Sequence, residues 1–234
     1  MSTKKRILLK LTGKAFLDKS NTLCSKLIKS LAQQISKLKK TCQFGIVVGG
    51  GNILRGEEQG LQMGLTPAFG HQAGMLATMI NGLILQDIFQ QEDVKTSLLS
   101  ALFCPQICPI ISQQNILEAL NNETVIIFAG GTGVPFFTTD TNAVARCLQM
   151  GAKEVWKATG ADGVYTADPK KDPDATLLKK VKYFDAIDKK LGIIDTTAIA
   201  LAEKHKVKIR VFNIFSEDAL LKASEDEGFG SLIN

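Results

Sequence analysis

The sequence predicts an α/β fold built on a mainly parallel sheet. Three observations carry this. Short apolar runs of strand type alternate with longer segments of helical periodicity. Three of those runs end in Gly-rich turns, at residues 12–13, 49–51 and 130–133. The 234 residues are 45% hydrophobic and 22% charged, with 20 Gly against 6 Pro, a globular composition. That length makes one large domain or two fused lobes. No run reaches the roughly 18 apolar residues of a membrane span. A disordered chain, a coiled coil and a collagen are excluded on the same grounds.

The elements follow in order. Residues 6–11 (RILLKL) read as a short buried strand. Leu23, Leu27, Leu31, Ile35 and Leu38 recur at helical spacing, with Ser20 or Asn21 available as N-cap. Residues 45–48 form a second buried strand. Residues 68–91 carry Leu76, Ile80, Leu83 and Asp87 along a long helix with small residues at Gly74 and Gly82. Periodicity leaves open whether that helix packs in its own core or between subunits. Residues 94–102 are strand-like, 115–120 a short helix, and 124–128 a third buried strand. Thr139 or Asp140 caps a helix carrying Val144, Cys147 and Leu148. Residues 154–158 and 207–214 are further strands, and a last helix lies near 218–223. No linker, repeat or low-complexity segment interrupts them.

Net charge is +5, and the basic residues are spread along the chain. They fall at Lys4–Arg6, near Lys37–Lys40, at Lys170 and Lys171, near Lys179–Lys182 and between Lys204 and Arg210. They read as solvated faces, or next as a site for anionic small molecules. A nucleic-acid partner, which asks for one basic face or stripe, is not expected. Five Cys with no CxxC pair read as free thiols in a reducing compartment. Two His cannot make a His-rich zinc site, and no metal-ligating side chain is assigned. Lys10 and Lys14 break the N-terminal apolar stretch, and no cleavage site follows. A cytoplasmic location is expected.

Gly-rich turns after parallel strands let several backbone N–H groups close on phosphate oxygens, and a following helix adds its positive end. Three such turns imply more phosphate than one nucleotide carries. Walker A is absent, since Gly13-Lys14 is followed by Ala15. The dinucleotide pattern is incomplete, with Leu54 where its third Gly belongs. Lys10 sits inside an otherwise apolar strand, where an unpaired ammonium is costly. It therefore reads as aimed into a site. Arg55, just past the triple Gly, is placed to grip a phosphate. Asp140 stands at a helix start, and Asp162 and Asp168 lie in a turn-rich stretch.

The blocks KLTGKAF (10–16), GGGNILRG (49–56), GMLATMING (74–82), GGTGVPFFTTD (130–140), KATGADGVYTADPKKDP (157–173) and IRVFN (209–213) together resemble the bacterial uridylate kinases (UMP kinases) of the amino acid kinase superfamily. The resemblance runs in order from about residue 7 to the C-terminus. It implies a three-layer αβα sandwich around the mainly parallel sheet, as one domain spanning 1–234. About 1–150 would bind UMP and about 151–234 ATP. It implies ATP + UMP giving ADP + UDP with Mg²⁺, in pyrimidine nucleotide (CTP) biosynthesis, in a homohexamer inhibited by UTP.

By the same resemblance, Lys10, Arg55 and Asp140 are the catalytic group, with Asp140 holding Lys10 in place. Lys10, Leu11, Thr12, Gly13, Gly51, Arg55, Thr159, Tyr165 and Asp168 fall to ATP, with Lys157 a further phosphate candidate and Asp162 structural. Gly50, His71, Thr132, Gly133, Val134, Pro135, Phe136, Phe137, Thr138 and Thr139 fall to UMP. Four departures stand out. His71 replaces an Asp, Val134 an Asn, Lys14 a Glu, and Gly160-Ala161-Asp162-Gly163 lacks a Lys. The positions matching activator contacts are Gln86, Gln90 and Ser97, and residues 16–22 contain no Gly. GTP activation is accordingly expected to be weak or absent. Two other readings remain at this point: a sibling kinase acting on a carboxylate or carbamate, and a nucleotide-sensing protein that contacts DNA.

Overall fold

The computed structural model describes residues 4–55, 58–169, 171–188 and 191–234. The first half holds β1 (Lys5–Leu11), α1 (Lys26–Leu38), β2 (Cys42–Val48), α2 (Glu58–Gln62), α3 (Pro67–Gln91), β3 (Thr96–Ser100), α4 (Gln113–Asn121) and β4 (Val125–Ala129). The second half holds α5 (Thr139–Gln149), β5 (Glu154–Thr159), β6 (Val164–Tyr165), β7 (Leu177–Leu178), β8 (Lys180–Val181), α6 (Tyr183–Asp188), α7 (Thr196–His205), β9 (Lys208–Asn213), α8 (Ala219–Glu225) and β10 (Ser231–Ile233).

Eight strands form one sheet in the order β3-β4-β2-β1-β5-β9-β10-β8. The first six are mutually parallel, and β10 turns back antiparallel to β9. Helices cover both faces, so the layers are helix, sheet, helix. This burial on both sides explains why β1 reads as a continuous apolar run. Its odd residues Ile7, Leu9 and Leu11 pack in the layer of α1, α3 and α8. Leu8 packs in the layer of α4, α5, α6 and α7. With a side-chain period of two, Lys10 joins Leu8 on the α5 side. On the same side Gly45 of β2 makes room for Met150, whose Sδ would lie 2.2 Å from an added Cβ. Cys147 is buried there too, and burial pushes its thiol up to about 12, which makes it a packing residue.

Two helix starts differ from expectation. Ser20 and Asn21 do not cap α1, which begins at Lys26. The Asp18 carboxylate accepts from the backbone N–H of Ser20 (2.8 Å) and Thr22 (2.9 Å) and holds this stretch in a turn. Leu23 pairs with Leu17 outside the helix. Helix α5 is capped by Thr138, not by Thr139 or Asp140. Thr138 Oγ1 accepts from the N–H groups of Asp140 (3.1 Å) and Thr141 (3.2 Å). That leaves the Asp140 carboxylate free for another task.

Candidate active site

Strands β1 and β5 are neighbours, and their register sets Lys10 opposite Lys157. Both side chains emerge toward α5. Two ammonium groups directly opposite on adjacent strands repel each other. Asp140, in the first turn of α5, lies between them. Its Oδ1 is 3.2 Å from Lys10 Nζ, and its Oδ2 takes Lys157 Nζ as an ion-pair and hydrogen-bond partner. The side chains of Lys10, Asp140 and Lys157 are only 15%, 13% and 7% exposed.

Burial opposes the charge on Asp140, but the cations of Lys10 and Lys157 outweigh it and hold its carboxyl below the ordinary range. A carboxylate held that low is a poor proton acceptor, so its task is to hold two cations. Burial, and next the Lys10 charge, pull Lys157 down to about 8, against the opposing pull of Asp140. At neutral pH the cluster thus has two cations for one anion, an excess suited to a phosphoryl group in transfer.

The C-terminal ends of β1, β2, β4 and β5 carry the Gly-rich turns to this same edge, where α/β sheets bind ligands. Two clefts open there. One of about 450 Å³ is lined by Gly50, Gly51, Arg55, His71, Thr132, Val134, Phe136, Phe137, Thr138 and Thr139 among others. The other, of about 760 Å³, is lined by Thr12, Lys14, Arg55, Thr159, Asp162, Tyr165 and Asp168, together with residues 191–193. Arg55 is common to both. Lys10 lines neither; it lies on β1, which ends at Leu11, just before Thr12 of the larger cleft.

Most residues marked from the sequence are therefore gathered. Gly51 lines the smaller cleft. Gly133 and Pro135 belong to its wall loop without lining it. Leu11 is fully buried, and its carbonyl accepts from Gly49 N–H at 2.9 Å, tying two Gly-rich turns together. Gly13 abuts Asn52, whose Oδ1 would lie 2.4 Å from an added Cβ. His71 packs against Phe136 with ring centroids 5.0 Å apart and the planes tilted by 59°, so the imidazole serves as cleft wall. Asp162 accepts from Asn213 Nδ2 at 2.9 Å, a structural bond within the larger cleft. Gly56 and Lys170, part of the marked blocks, lie outside the described residues.

Two features escaped the sequence reading. Asn52 and Asn81 bond reciprocally at 3.1 and 2.7 Å, and Asn81 Nδ2 also donates to Gly49 O at 2.7 Å. This latch fixes the second Gly-rich turn to α3. Asp195 caps α7 through Ala198 N–H at 3.0 Å and also accepts from the hydroxyls of Thr138 and of Thr141, the latter at 2.9 Å. It thereby clamps the start of α5. Replacing Asp195 with alanine removes a cap worth about 1–2 kcal/mol. It also loosens the seat of Thr138 and Thr139 on the wall of the smaller cleft, so kcat/KM for the ligand of that cleft should fall about ten- to a hundredfold. Thermal unfolding and steady-state kinetics check both effects. An unchanged kcat/KM would mean that the clamp serves stability alone.

Comparison with known proteins agrees with this geometry. Residues 5–213 match the model of the amino acid kinase family. Uridylate kinase of Methylococcus capsulatus is 39% identical over 231 residues, covering 98% of this chain and 96% of that protein. Uridylate kinase of Mycoplasma pneumoniae is 40% identical over 231 residues, covering 97% and 98%. The crystal structure of UMP kinase from Ureaplasma parvum superposes with a TM-score of 0.94 at 33% identity, covering 99% of each chain. Family model, full-length relatives and superposed fold give one answer: the chain belongs to the amino acid kinase family, and within it to the uridylate kinases.

Proposed function

We infer that the chain transfers the γ-phosphoryl group of ATP to the phosphate of UMP, giving ADP and UDP. The observation that carries this reading is the Lys10–Asp140–Lys157 cluster at the edge where two clefts share Arg55. The larger cleft, built mostly from residues after 150, suits ATP, with Tyr165 beside the base and Thr12 and Thr159 near the phosphates. The smaller, built from residues before 150, suits UMP. Its phosphate sits toward the N-terminus of α5, where Thr138 and Thr139 and the helix dipole favour an anion.

The transfer is in line and direct. A phosphate oxygen of UMP is already an ionised nucleophile, so no base is needed and no covalent enzyme intermediate forms. Catalysis is positioning plus charge neutralisation. Lys10 meets the charge of the transferring group, Lys157 reinforces it, and Arg55 reaches the phosphates of both nucleotides. Among the described residues no three His, Cys, Asp or Glu side chains cluster as a metal cage. In this reading Mg²⁺ would enter with ATP, held chiefly by phosphate oxygens and water, as this ion commonly is. Held so, the ion would supply further neutralisation of phosphate charge beside Lys10, Lys157 and Arg55.

UTP inhibits in this reading by occupying the UMP cleft. The hexamer follows from the family resemblance; self-association as such is supported by α3, whose Phe69, Leu76, Ile80 and Leu83 lie 38–67% exposed along the helix, an apolar stripe that a second copy would cover. Among the described residues no helix is long and apolar enough to cross a membrane. The cytoplasm, where ATP and UMP are held, is the location this reading proposes. The test is ADP release from Mg-ATP with UMP, CMP and dUMP as separate acceptors. Turnover with UMP and little with the others is expected. UTP should lower the rate and GTP should leave it nearly unchanged. No turnover with any acceptor, from folded protein that still binds ATP, would overturn the reading.

A further inference from the structure

A cleft of about 1000 Å³ lies away from the two clefts of the candidate site. It lies at the opposite pole, where the parallel strands begin. Lys4, Lys5, Arg6, Lys153, Lys206 and Lys208 line it. A second cleft, sharing Lys4 and Glu123 with the first, adds Lys39, Lys40 and Lys95. Against these nine cations stand three lining carboxylates, Glu123, Glu154 and Asp93. The formal excess of six there compares with +5 for the whole chain. The basic residues that look scattered in sequence are thus partly gathered at one end. Parallel strands that all start at one pole bring the lysines preceding them together.

Structural duties account for only part of this charge. Lys4 pairs with Glu123 and Lys5 with Glu154, each at 2.6 Å, and Arg6 donates to Met150 O at 2.9 Å. Helices α1, α3, α4, α5 and α7 end at this pole. At about −0.5 charge per helix C-terminus, they offset less than half of the excess. Lys39, Lys40, Lys95, Lys153, Lys206 and Lys208 are exposed and have no ion pair among the described residues.

The layout selects the ligand. From Lys95 before β3 to Lys208 on β9 the row crosses five strand spacings, about 24 Å at 4.8 Å each. That length matches about seven base pairs at 3.4 Å and suits a polymer. No aromatic side chain lines either cleft, so there is no stacking platform for unpaired bases. A duplex keeps its base faces stacked inside and carries its phosphates on the outside. We propose that this pole binds double-stranded nucleic acid through its phosphate backbone, independently of sequence and apart from the phosphoryl-transfer site.

The test is fluorescence anisotropy of a labelled 20-base-pair DNA duplex with the full chain. Micromolar binding at low salt is expected, with log K falling against log salt at a slope near −3.5, about four phosphate contacts. The double variant Lys153→Glu, Lys208→Glu should bind more than tenfold more weakly at 50 mM salt and keep its turnover of UMP, which also shows that it folds. ATP at matched phosphate concentration should not displace the duplex. Absent binding, binding indifferent to the double substitution, or displacement by ATP would each overturn the proposal.

Discussion

Replacing Lys10 with alanine is expected to lower kcat by about 10² to 10³, the usual cost of removing one preorganised charge-stabilising donor. KM for UMP should change only a few-fold. The split follows from position. Lys10 lines neither cleft; it is held at 3.2 Å by Asp140, which follows Thr138 and Thr139 of the smaller cleft, and it lies two residues before Thr12 of the larger. Its ammonium therefore gains most when charge builds on the group in transit and little when UMP alone binds. The substitution should leave the fold intact, because Asp140 keeps Lys157 as partner. Steady-state kinetics with each substrate varied settle it. A near-normal kcat would remove Lys10 from the catalytic group, and a large rise in KM for UMP at constant kcat would reassign it to acceptor binding.

Lys10 was legible because a charge inside the run Leu8, Leu9, Leu11 contradicts its neighbours. Lys157 was ranked lower from the sequence, because its weight comes from lying opposite Lys10, and only the pairing of β1 with β5 creates that. The run Thr138-Thr139-Asp140 offers three capping side chains in succession. Local chemistry does not choose among them; Asp195, from a distant loop, grips Thr138 and fixes the choice. Strands β6, β7 and β8 have two residues each, too few for any periodicity to register. Helix α7 buries the small Ala198 and Ala202 beside Ile199, a faint apolar signal. The five parallel strands inside the sheet, β4, β2, β1, β5 and β9, were plain because each is buried on both faces. Tertiary register was the missing knowledge throughout, for the second lysine of the site as for the lysines of the opposite pole.

Changing Asp140 to asparagine should produce an effect on kcat at least as large, with a distinctive pH signature. In the parent protein Lys157 loses its proton near pH 8 when folded and near its ordinary 10.5 when unfolded. Between those values the unfolded chain binds more protons, so this group makes stability rise with pH. Activity moves the other way, because the cation that meets phosphate disappears: kcat/KM, which reports the free enzyme, should fall above about pH 8. Asparagine removes the charge that opposes burial and Lys10. The alkaline limb should then shift below pH 8. The stability loss should nevertheless stay small at neutral pH. Lys157 can give up its proton there, and one pKa unit costs about 1 kcal/mol, well short of the several expected when a buried pair is broken and its charge stranded. Paired pH profiles of kcat/KM and of thermal unfolding for the two proteins distinguish the cases. A limb that stays in place would show that a group other than Lys157 sets it. A collapse of stability at pH 7 would show that both lysines stay charged, and that Asp140 holds the fold together as well as the site.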